Sequence, residues 1–92
     1  MTILSIFYSV YDKLSNNFGP LQEFTNEETA LRAMKKSFNS KDFEKSWACD
    51  FVLYCLGHRC VSDDCKQFFE FYDPVKVCDC SDLLKDDEEK GE

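Results

Sequence analysis

The amino-acid sequence predicts an α+β fold in ββαββ order, with one helix packed on a mainly antiparallel sheet of four strands and room for a fifth near the C-terminus. Three observations predict it. Leu4, Ile6, Tyr8 and Val10 alternate with other residues, the period of a strand. Ala30, Leu31, Met34 and Phe38 recur at spacings of three and four, one stripe of a helix. Two later runs, residues 47–56 and 66–72, are rich in the aromatic and β-branched residues that favour a pleated surface.

The first strand ends where Ser15, Asn16 and Asn17 supply turn chemistry, since short polar side chains tolerate left-handed backbone and bond to it locally. Gly19-Pro20 marks the start of the second strand. Its proline has no ladder donor, so the strand begins there or lies at a sheet edge. Thr25 followed by Glu28 fits a capping box, and Glu27 and Glu28 sit where the helix dipole favours negative charge. Lys35 and Lys36 occupy the opposite end and Asn39-Ser40 is the stop, which gives a helix over residues 26–38.

Residues 39–46 form a polar connector with room for one short helical turn. Its one large apolar residue, Phe43, anchors it to the core; the alternative is a partner-binding loop. In the third strand, Trp47, Cys49, Phe51, Leu53 and Cys55 share a face, and the other face is also largely apolar, which places the strand centrally. Gly57 ends it and residues 58–65 read as a loop. The fourth strand, residues 66–72, pairs with the third as a hairpin, with the helix over one of its faces. Asp73-Pro74 breaks it, and Val75, Val77 and Cys78 suggest a last extended segment. Residues 1–80 make one domain. Residues 81–92 form an acidic tail expected to be disordered, with Leu83 and Leu84 able to dock before the disorder begins.

Eleven basic against eighteen acidic residues give a formal net charge of −7. Phosphate binding draws its strength from Lys and Arg, so this balance argues against nucleic acid and for a protein partner with a basic face. Lys35, Lys36, Lys41 and Lys45 do cluster, but Asp42 and Glu44 sit among them. The apolar run at residues 3–10 has no basic segment before it and is too short for a bilayer, so the chain is expected in the cytoplasm, without a membrane partner. Its six cysteines are then expected as reduced thiols, with Cys49 and Cys55 in the core.

The densest chemistry is His58, Cys60, Cys65, Cys78 and Cys80. Zinc takes four N or S donors as close pairs, and Cys60 with Cys65 and Cys78 with Cys80 are two such pairs if the last segment returns beside the loop; free thiols are the alternative. His58 is the one histidine, and no oxyanion hole accompanies it and Cys60, so no catalytic residue is expected and the chain reads as no enzyme. Asp63-Asp64 falls short of the oxygens calcium takes. Phe68, Phe69, Phe71 and Tyr72 have the character of a single-strand stacking platform, without a basic groove.

Four short motifs carry a resemblance: YSVYDK at residues 8–13, FGP at 18–20, ALRAM at 30–34 and LYCLG at 53–57. Over about residues 5–75 the chain resembles the small nonstructural protein of gokushoviruses, microvirus-group phages with single-stranded DNA. The resemblance implies a non-enzymatic, infection-phase role in a bacterial host, tied to viral DNA replication or single-strand synthesis and packaging. An acidic domain would fill that role by binding a basic surface on a viral or host replication or assembly protein, and an exposed strand edge makes homodimerisation a corollary. The cysteine-rich stretch departs from the family, where an acidic loop with a Thr-Gly turn is usual.

Overall fold

The structure is a computed structural model that describes residues 2–84. Residues 85–92 of the expected tail lie outside the described residues. The elements are β1 (Thr2–Asp12), β2 (Asn17–Phe18), β3 (Gln22–Phe24), α1 (Glu27–Phe38), a 3-10 helix (Lys45–Asp50), β4 (Phe51–Val61), β5 (Gln67–Asp79) and a second 3-10 helix (Cys80–Leu83). All pairings are antiparallel, in the order β2-β1-β4-β5 with β3 also on β1. The predicted α+β class and single main helix are observed.

Successive residues of β1 face opposite sides of the sheet. Ile6, Tyr8 and Val10 face α1, and the core closes there: Tyr8, Ala30, Met34, Phe38, Leu53 and Cys80, with Leu31, Leu83 and Leu84 against it. Burying side chains such as Met34 and Phe38 contributes on the order of 1.5–3 kcal/mol each, which outweighs any local helix preference. Phe43 does anchor its connector, edge-on to Phe38 at 4.9 Å and 6.2 Å from Phe51.

Five boundaries differ from expectation. The helix cap is Asn26, not Thr25: its Oδ1 accepts from Thr29 N at 2.8 Å and from Thr29 Oγ1 at 2.9 Å. Gly19-Pro20 interrupts the second strand and divides it into β2 and β3; Gly19 N donates to Val10 O at 2.8 Å there. Residues 47–50 coil as 3-10 helix because β1 ends at Asp12, paired with Phe51, so an earlier start would leave β4 without a ladder partner. Cys49 is consequently exposed, while Cys55 is half-buried against the core.

Gly57 does not end β4. The strand runs on to Val61, paired with the first half of β1, because Gly57 lets β5 approach: a Cβ there would lie 2.3 Å from Glu70 O. Finally, Asp73-Pro74 does not break β5. It forms a bulge between the pairs Cys55↔Val75 and Gly57↔Phe71, which absorbs the missing proline donor at the sheet edge. The turn between β4 and β5 is confined to residues 62–66, closed by Ser62 N donating to Lys66 O at 2.9 Å.

Candidate functional site

The outer half of the β4–β5 ribbon gathers most of the chemistry that the sequence singles out. Residues 67–76 of β5 are exposed throughout, so α1 does not cover this stretch. β5 is the last strand of the sheet order, and its outer row of backbone groups has no ladder partner among the described residues.

Strand alternation splits the aromatic run in two. Phe69 and Phe71 fall on the face away from α1, with ring centroids 5.8 Å and 5.4 Å from Phe7. Phe7 is thereby buried, while Phe69 and Phe71 remain 62% and 58% exposed. Phe68 and Tyr72 fall on the opposite face. The Tyr72 ring lies 5.7 Å from His58 and its hydroxyl 3.2 Å from Cys55 Sγ. That bond, then burial, pushes the Tyr72 phenol up to about 12. Burial first, and the nearby Cys55 and Glu27 after it, does the same to Tyr8. The four residues therefore do not form one platform; two open pairs stand back to back.

Beside Phe7 a polar row crosses four strands on the open face. Arg59 Nε donates to Glu23 Oε2 at 2.7 Å and to Ser5 Oγ at 3.3 Å, and its Nη1 donates to Gln67 Oε1 at 2.9 Å. Ser5 also donates to Glu23. These bonds, Ser5 first and Arg59 second, hold the Glu23 carboxyl below its ordinary value. Arg59 is thus already engaged and does not extend toward a phosphate. A second aromatic group, Tyr11, Phe18 and Tyr54, continues the same face toward the other end of β1.

The five candidate donors for a four-ligand zinc site are not all brought together. Cys65 sits exposed in the β4–β5 turn with φ 67°. Cys78 pairs with Leu53 and Cys80 is buried beyond it, roughly 23 Å along β4 from Cys60 at 3.3 Å per residue. Burial drives the Cys80 thiol up to about 12, with Cys78 and then Asp79 adding to it, and drives the Cys78 thiol up as well, with Asp82, Asp79 and Glu27 adding there. His58 and Cys60 do meet, and the third member is Glu70. His58 Nε2 lies 3.2 Å from Glu70 Oε1, and the ligating atoms of all three lie within 4.8 Å of one another.

Glu70, Arg59 and Glu23 are absent from the residues singled out by sequence. Glu70 had one usable signal: it is the lone acid inside FFEFY, and a β4 continued through His58 would have put it opposite. On the solvent side of α1, Arg32, Lys35, Lys36, Asn39 and Ser40 line a shallow depression. It contains half of the predicted lysine cluster, without Lys41 and Lys45. No described helix is long and apolar enough to cross a membrane.

A family model described as Phage ORF5 protein matches residues 5–83. No curated protein and no solved structure matches the chain.

Proposed function

The chain belongs to the Phage ORF5 protein family, and from that premise we propose that it is a non-enzymatic nonstructural protein of a gokushovirus-like phage. It acts in the cytoplasm of the bacterial host by protein–protein contact, modulating viral DNA replication or single-strand synthesis and packaging. The partner is a viral or host replication or assembly protein whose basic surface suits the −7 charge of this chain. One observation carries the reading. Among the described residues, the edge strand β5 offers backbone without a ladder partner beside Phe69 and Phe71, which stay more than half exposed on a face that no described helix covers. Strand addition gives affinity through the backbone, and exposed rings give a contact its anchors.

Affinity capture from infected cells tests it. A replication or assembly protein should be retained by the wild-type chain and lost with Phe69→Ser/Phe71→Ser. Recovery of none would overturn the reading. The same two rings support a second one, a single-stranded DNA module that stacks bases on them. Titration of labelled single-stranded DNA across a salt series separates the two. Ring-dependent binding that strengthens at low salt favours the module, and no affinity at low salt removes it.

A further inference from the structure

We infer that His58, Cys60 and Glu70 form a three-ligand site for a divalent transition ion of the zinc class, which staples β4 to β5. The inference is independent of the proposed partner and of the family. The sheet register builds the site. His58 and Cys60 stand two apart on β4 and so project to one side, and Glu70 lies directly across the ladder from His58. A one-residue slip of β5 would send Glu70 to the other face.

The geometry is close to what such an ion requires. Two ligands at about 2.05 Å around a tetrahedral centre stand about 3.3 Å apart; His58 Nε2 and Glu70 Oε1 are already 3.2 Å apart. The Cys60 sulfur lies within 4.8 Å of a ring nitrogen of His58 and of a carboxylate oxygen of Glu70, which completes the triangle of donors. An imidazole, a thiolate and a carboxylate form a mixed set that zinc accepts, whereas a thiolate disfavours magnesium and calcium. Cys60 forms a desolvated floor, His58 is largely covered, and Glu70 is 55% exposed, so the ion enters past the carboxylate and keeps a water in its fourth position. Binding exchanges the Cys60 S–H proton, released to solvent, for a sulfur–metal bond. Without an ion, the His58–Glu70 pair alone is a surface contact of small worth, and it gives the thiol beneath it no role.

Cobalt(II) is the probe, added to the reduced full-length chain. The expected result is one ion per chain, a thiolate-to-cobalt charge-transfer band, and loss of that band on adding zinc. Cys60→Ser should abolish the band. Because Cys60 is buried and its variant could misfold, Glu70→Gln at the surface is the second test and should weaken cobalt binding at least about tenfold. Cys65→Ser should leave binding unchanged. The absence of a thiolate band, an affinity indifferent to Glu70→Gln, or a band lost with Cys65→Ser would each overturn the site.

Discussion

Glu23 is held by Ser5 and Arg59, and its carboxyl titrates below the ordinary 4.5. A depressed folded value means that this clasp stabilises the fold above the ordinary glutamate range and is lost as pH falls through the folded value. The chain should therefore weaken in acid, and Glu23→Gln should flatten that part of the profile; urea midpoints across the carboxylate range measure it. The alkaline side runs oppositely. Cys80 and Tyr8, both pushed up to about 12, stay neutral in the fold, while the unfolded chain ionises from 9 and 10 upward. Stability should fall as pH rises from there toward 12. Accessibility orders the thiols independently of charge: a maleimide should label exposed Cys49 and Cys65 in the native chain and reach buried Cys60 and Cys80 only on unfolding, as peptide mapping would show. Two of the three proposed metal donors were legible at this scale. His58 and Cys60 stand two apart in the sequence, but Glu70 joins them through a ladder pairing twelve positions away, and its one local signal, a lone acid inside FFEFY, points to His58 only once β4 is carried past Gly57.

Among the elements, α1 was the most legible, because its stripe and its charged ends are local features. Even so, its cap shifts by one residue: Asn26 in extended backbone reaches Thr29, which leaves Thr25 outside the capping role. Asn26→Ala should cost about 1 kcal/mol and Thr25→Ala less, a difference that denaturant midpoints resolve. The strands were less legible because each borrows its length from a remote partner. β4 starts where β1 stops pairing and continues past Gly57 because β1 and β5 both flank it there. Gly57 reads as a terminator in sequence, but its structural role is a gap that admits β5. Gly57→Ala sets a Cβ 2.3 Å from Glu70 O and 2.9 Å from Phe71 Cδ1, so backbone would have to move. That should cost 1–3 kcal/mol or more, by the ~1–3 kcal/mol scale of overpacking. Gly19→Ala, whose nearest contact would be an ordinary 3.4 Å, is the tolerant control.

At the scale of the whole molecule, α1 and both 3-10 helices close one face of the sheet and, among the described residues, leave the other to its own side chains. The α+β class was readable from periodicity. Which face stays open was not, because that depends on β5 running past the helix for its first ten residues. Phe7 shows how the open face copes: with no helix above it among the described residues, it is buried with the rings of Phe69 and Phe71 against it. Those two rings keep 62% and 58% of their surface in water, so folding has used less than half of it. At about 25 cal/mol per Å², with aromatic side chains burying roughly 150–250 Å² each, folding gains about 1.5–2.5 kcal/mol per ring. The larger remainder is available to the proposed interface, where buried aromatic anchors are commonly worth about 2 kcal/mol or more. Phe69→Ser/Phe71→Ser should therefore lower the melting temperature moderately, keep the helical circular dichroism of α1, and abolish capture of the partner. A variant that melts lower yet captures the partner as wild type does would mean that these rings serve only to shelter Phe7, and that the contact lies elsewhere on the molecule.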